Sequence, residues 1–285
     1  MIAAEVGAEA TTTAAERREA VSGRELLAMI VLWPLAATLP AALHAPPAIA
    51  IVCATLVTAA YVRWALFAPD VAARAARRTR FRLLSIARSS WPLVAVAALC
   101  AVALVASLHL VAERWAPQSD PTNGLDAYAR RSALHAVAVV VVAVGATPLM
   151  EELAFRGAVT TALERRFGPR GALALASLGF ALAHLQLRLL PQLLVTGLAL
   201  GLLAWSARSV WAAVLAHGLW NALVFAERVA PASVTAGPGS ASTARLIVAL
   251  VSTALAFALL IWKLRRATTA TIGGPHDERA LRDSA

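Results

Sequence analysis

The sequence predicts an all-α membrane protein, a bundle of about eight transmembrane helices. Composition is the first observation: of 285 residues, 60% are hydrophobic, and mean hydropathy is +0.70. Soluble domains sit near about 45–50% apolar. The second observation is a series of apolar runs of the length a membrane helix needs, roughly 20 residues. The third is that the basic residues, which give a net charge of +10, cluster in the breaks between those runs.

The first span is expected at 26–43, kinked by Pro34 and Pro40. A turn at His44-Ala45-Pro46-Pro47 leads into the second, 48–67, where Arg63 can snorkel from near the helix end. Arg74, Arg77, Arg78, Arg80, Arg82 and Arg88 then share one loop. The third span is 91–112. The polar stretch after it carries the turn formers Pro117, Asp120, Pro121, Asn123 and Gly124. The fourth, 137–163, is ended by Glu164-Arg165-Arg166-Phe167-Gly168-Pro169-Arg170. The fifth is 171–186, the sixth 189–206 and the seventh 210–226. A Gly/Ser/Pro-rich loop, 231–243, precedes the eighth, 245–262, which Lys263, Arg265 and Arg266 close. By domain, 26–112 is an N-terminal three-helix part and 245–266 the last membrane helix. Residues 1–25 and 267–285 read as disordered cytoplasmic tails.

Cytoplasmic loops carry the Lys/Arg excess. With the 74–88 loop inside, both termini, the 164–170 break and the turn at Arg208 are cytoplasmic too. The expectation is a multi-pass cell-membrane protein facing anionic lipid. The basic surplus does not point to nucleic acid, because no nucleic-acid motif accompanies it. The mixed charge of the first 25 residues argues against a cleaved signal peptide. Cys53 and Cys100 both fall in spans and read as small core residues rather than a disulfide framework.

Charges inside the spans are the exception to this pattern. Glu151, Glu152 and Arg156 lie within six residues of an apolar run. An ionisable group in hydrocarbon is costly and usually functional. On a helix Glu152 and Arg156 share a face and can pair, while Glu151 is turned about 100° away. That divides a supporting carboxylate from a reactive one. The fifth span holds Phe180-x-x-x-His184 and the seventh His217-x-x-x-Asn221. Each also has a plain packing role open to it: an ion pair, an aromatic contact, an interhelical hydrogen bond. Depth favours a shared cavity. Measured from Glu164, Gly171 and Arg208 at about 1.5 Å per residue, Glu151 and His184 lie about 20 Å in and His217 about 13 Å in. Ordinary helix tilt brings these to one level.

Two imidazoles and a carboxylate suit two chemistries. His184, His217 and Glu151 are a possible ligand set for zinc, with an open position for water. Without a metal, Glu151 can act as general base on water while His and Asn stabilise an oxyanion. Both routes end in peptide-bond hydrolysis. A covalent serine or cysteine nucleophile is disfavoured, since no Gly-x-Ser-x-Gly elbow is present and both cysteines lie outside the cluster. A proton-relaying transporter is a further reading, but the paired interrupted halves it calls for are not visible.

The three motifs, EExxxR at Glu151, Glu152 and Arg156, FxxxH at Phe180 and His184, and HxxxN at His217 and Asn221, resemble those of the CPBP family. This group comprises CAAX prenyl endopeptidases and bacteriocin-processing and immunity proteins, and is also called Abi. The resemblance covers about 135–225. It implies an eight-helix intramembrane protease open to the cytoplasm and acting on a peptide or membrane-protein substrate. Glu151 would be the water-activating carboxylate, with His184 and His217 beside it, Asn221 on the oxyanion, and Glu152 and Arg156 in support. Zinc-dependent and metal-independent mechanisms both stand within the family. So do members acting as scaffolds or immunity factors with the site retained.

Overall fold

The computed structural model describes residues 46–66, 78, 81–115, 128–229 and 243–270, and these are predominantly helical, with no strand among them. The expected first span, the tail 1–25 and the 231–242 loop lie outside the described residues, as do most of the 74–80 and 113–127 segments and the tail beyond 270.

Helix α1 is Pro47–Leu66 and α2 is Trp91–Trp115. A near-continuous helical stretch follows: α3 Ala133–Val140, a π-helical segment Val141–Ala146, α4 Thr147–Glu152, a second π-helical segment Leu153–Val159, and α5 Thr160–Ala183. Ser132 caps its start, its hydroxyl accepting from the His135 N–H. A 3₁₀ turn, Leu187–Leu189, leads to α6, Leu190–Ala207. Helix α7 is Val210–Val229 and α8 is Thr243–Ala270.

Five described stretches are long and apolar enough to cross a membrane, where the sequence suggested eight spans. The difference has three sources. The first span is not among the described residues. The apolar part of α1, Ile51–Arg63, falls short of a full crossing. The fourth and fifth spans are two limbs of one 51-residue stretch, Ala133–Ala183. The break expected over 164–170 is concentrated at Gly168, whose φ of 67° only glycine adopts without strain, followed by Pro169. The last helix runs to Ala270, so residues 267–270, expected in the tail, are helical.

Helices α2, α6, α7 and α8 pack around a core built largely of alanine, with Val94, Leu104, Leu203, Phe257 and Leu264 filling between the backbones. Small side chains let membrane helices approach closely, which replaces the hydrophobic drive that lipid removes. A second cluster, Phe81, Leu153, Phe155, Phe180 and Val210, lies under the chemistry described below. The segment before α2 is pinned beneath α7: the Val210 N–H donates to the Arg82 carbonyl at 2.9 Å, and Ser209 Oγ donates to the Leu84 carbonyl at 2.7 Å. These bonds occupy a helix-start N–H that would otherwise lack a partner.

Helices α5 and α6 meet at a glycine. A Cβ on Gly197 would come within 3.1 Å of the Ser177 backbone and side chain. Gly197 and Gly201 form a small-x-x-x-small pair on the face of α6 that meets α5.

Candidate active site

Pro148 organises the helix that carries the two carboxylates. It has no N–H to give the Val144 carbonyl, one turn earlier. That carbonyl faces α7 at Gly218, where a Cβ would stand 3.0 Å from it. The adjacent π-helical turn frees another carbonyl, Ala143, and Asn221 Nδ2 donates to it at 2.8 Å. Helix α7 is thus docked on the irregular helix by the residues flanking His217. The second π-helical segment is satisfied from within, Thr160 Oγ1 donating to Phe155 O at 2.7 Å and Thr161 Oγ1 to Gly157 O at 2.6 Å. π-Bulges inside α-helices are frequent at functional sites.

Glu152 is fully buried and Arg156 is 2% exposed. The guanidinium holds the carboxylate through Nε at 3.1 Å and a terminal nitrogen at 3.2 Å. Its other terminal nitrogen donates to the Gly197 carbonyl at 3.0 Å, and its plane lies 4.4 Å from the centre of the Phe180 ring. The expected i, i+4 pair therefore forms, and a backbone carbonyl of α6 and an aromatic face complete its surroundings.

Glu152 passes this order on to His217. The His217 Nδ1–H donates to Glu152 Oε1 at 2.8 Å. The His184 Nδ1–H donates to the Phe180 carbonyl at 2.8 Å. In a neutral imidazole a proton held on Nδ1 leaves Nε2 as an acceptor. Both Nε2 atoms lie 3.9 Å from the same oxygen, Glu151 Oε2. That oxygen is buried and accepts no hydrogen bond from the described residues. Three acceptors converge on one point, and the chemical partner for such a point is a hydrogen donor such as water, or a cation.

The residue types suit zinc, but their spacing is wider than a closed site. Bonds of about 2.0–2.2 Å in a tetrahedron set ligand atoms about 3.4 Å apart. Among the described residues no group of three or more His, Cys, Asp or Glu is placed to hold a metal ion.

The six sequence candidates divide accordingly. Glu151, Glu152, Arg156, His184 and His217 form one connected cluster. Asn221 is on the same face of α7, with an amide N–H bonded to the π-helical turn. His184, at the end of α5, has 27% of its side chain exposed against 6% for His217, so it stands at the mouth. Phe180 is the centre that sequence reasoning left as ordinary packing. Its ring is 4.7 Å from that of His184, 6.0 Å from that of His217 and 5.4 Å from that of Phe155. Gly197 and Gly218 were also missed, although the Gly197-x-x-x-Gly201 spacing is a readable signal.

Fold and site together define a multi-pass all-α membrane protein with a buried carboxylate–imidazole centre. Residues 133–223 match the family described as Rce1-like, Type II CAAX prenyl endopeptidase Rce1-like. The match covers about a third of the chain, and it agrees with the resemblance of the three motifs to the CPBP family. The matched segment begins with α3 and ends two residues past Asn221, so it contains the whole cluster. No curated protein and no solved structure matches the chain.

Proposed function

We propose that the chain is an intramembrane endopeptidase in which Glu151 activates a water for attack on a peptide carbonyl. The observation that carries this reading is the convergence of the two Nε2 atoms on Glu151 Oε2, each at 3.9 Å. A water at that point gives one proton to Glu151 and is steadied by an imidazole lone pair on its other proton. Its oxygen bonds to the carbonyl carbon, and the carbonyl π electrons move to oxygen. When the tetrahedral intermediate collapses, the proton held by Glu151 goes to the amide nitrogen and the C–N bond breaks. The products are a new C-terminal carboxyl and a new N-terminal amine.

The other residues have supporting roles. Arg156 offsets the charge of Glu152, and Glu152 fixes the tautomer and ring orientation of His217. Asn221 commits one amide N–H to Ala143, and we assign its second N–H to the oxyanion. The route runs through the chain's own side chains, in keeping with the wide spacing of the three acceptors.

Water access is supported by helix length. The limb of α5 after the kink, 169–183, spans about 22 Å at 1.5 Å per residue, less than a hydrocarbon core of about 30 Å. The turn behind it is irregular, with Leu185 at a φ of 54°. Non-helical backbone at membrane depth is tolerated only against protein or a water-filled cavity. The family resemblance implies that the site opens to the cytoplasm, and the substrate is a peptide or membrane-protein segment.

The test compares membranes of the source organism incubated with purified wild type or with His184→Ala/His217→Ala, reading new peptide termini by mass spectrometry. Termini made only by wild type support an endopeptidase. Identical profiles would favour a non-catalytic scaffold or immunity role with the site retained.

A further inference from the structure

Phe81 is a turn residue buried like a core residue. It is 1% exposed, and with Phe180 it is among the largest fully buried side chains of the described residues. Connecting segments normally run over the surface. Here the turn before α2 drives an aromatic ring into the cluster of Leu153, Phe155, Phe180 and Val210. Gly157 forms one wall of its socket. A Cβ there would stand 3.3 Å from the Phe81 ring, 3.4 Å from the Phe81 carbonyl oxygen and 3.5 Å from the Phe81 Cβ. Gly157 belongs to the second π-helical segment and follows Arg156 directly.

The turn is held in this position by three bonds. Arg82 is left-handed, with a φ of 51°, a conformation uncommon outside glycine. The Leu83 N–H closes the turn on Arg78 O at 2.7 Å. The Arg82 side chain pairs with Glu164 of α5, and the Arg82 carbonyl accepts from the Val210 N–H of α7. Strained backbone persists where its surroundings over-determine it. The surroundings here are the two helices that carry His184 and His217.

We propose that Phe81, which lies outside the matched segment 133–223, is a positioning residue for the carboxylate–imidazole centre. By packing on Gly157 it sets the register of the π-helical turn, and so the place of Arg156. Arg156 holds Glu152, and Glu152 Oε1 holds the His217 proton on Nδ1. An emptied socket lets the π-helical turn settle into it and draws the guanidinium off Glu152. His217 then gains its other tautomer, with the proton on Nε2. That N–H points its donor at Glu151 Oε2, the oxygen meant to take the proton of water. The predicted effect on rate rests on the endopeptidase reading, whereas the predicted change of tautomer rests on the geometry alone.

Nitrogen-15 spectra of the histidine-labelled full chain in micelles test this without a substrate, the His217 signal being assigned by its loss in His217→Ala. Wild type should show one His217 tautomer, protonated on Nδ1. Phe81→Ala should show the second tautomer at about a tenth or more of the population. Phe81→Val leaves a smaller cavity, should show the same change to a lesser extent, and carries the test if Phe81→Ala does not fold. Phe81→Met, near the original volume, should keep the single form. So should Phe257→Ala, which opens a comparable cavity in the core of α2, α6, α7 and α8. On a peptide substrate, kcat should fall at least about tenfold in Phe81→Ala, with KM within about twofold, and stay within about twofold in Phe257→Ala. A single Nδ1 tautomer in the Phe81 cavity variants, or an equal share of the second form in Phe257→Ala, would overturn the proposal. A tautomer change in Phe81→Ala alone, with no hydrolysis by wild type, would support the positioning role and count against the endopeptidase reading.

Discussion

Arg156→Ala leaves a fully buried carboxylate, Glu152, with only the His217 Nδ1–H as partner, because both guanidinium contacts and the bond to Gly197 are lost. Breaking a buried ion pair by removing one member costs about 3–5 kcal/mol. At about 1.4 kcal/mol per tenfold, that is a factor of roughly 10²–10³ or more in the unfolding constant. Glu152→Gln/Arg156→Met removes both charges with similar volume and should regain most of the loss, since uncharged replacement of buried pairs is often neutral. It should remain inactive, because His217 then lacks the carboxylate that sets its tautomer. Unfolding in mixed micelles, read by tryptophan fluorescence and analysed as a double-mutant cycle, separates the two effects. If Arg156→Ala unfolds within about 0.5 kcal/mol of wild type, or the double variant is no more stable than the single, the pair does not hold the site as described.

Three further outcomes follow from the same geometry. Gly218→Val places bulk against the Val144 carbonyl and should push α7 outward at His217. It should lower activity at least about tenfold for a stability loss of about 1–3 kcal/mol, read by rate and melting midpoint on one preparation. Asn221→Ala orphans the Ala143 carbonyl and should cost about 1–3 kcal/mol. Asn221→Asp, which has no amide to donate, should be as inactive as alanine. Elemental mass spectrometry of protein purified without chelator should find no stoichiometric metal. About one zinc per chain, lost in His184→Ala/His217→Ala, would replace the metal-free route with a metalloprotease.

The membrane class and the helix series are legible in the sequence because both rest on local composition, which lipid reads directly. The i, i+4 spacing of Glu152 and Arg156 correctly forecast their pairing, and the depth argument brought three helices to one level. What the sequence hid depends on contacts between helices. Nothing local shows that Glu152 reaches His217 rather than Glu151, because that bond spans α4 and α7. The π-helical turns escape periodicity analysis, since an apolar run looks alike at either pitch, although Pro148 marks their place. Phe180 reads as packing until three helices set Arg156 and two imidazoles around its ring. Gly168 shows why one polar break was expected to be seven residues long: charged residues flank a kink that occupies one.

The central claim is that Glu151 takes the proton from water. Its most direct test is the single-turnover rate of Glu151→Gln beside wild type in proteoliposomes, on a peptide substrate identified from the new termini, with chelator present. Glutamine keeps the shape and cannot accept the proton. The account predicts loss of at least about 10³-fold, within the range of a missing general base together with its orientation, while the melting midpoint stays near that of wild type. A Glu151→Gln rate within tenfold of wild type would contradict it and move the base elsewhere in the cluster.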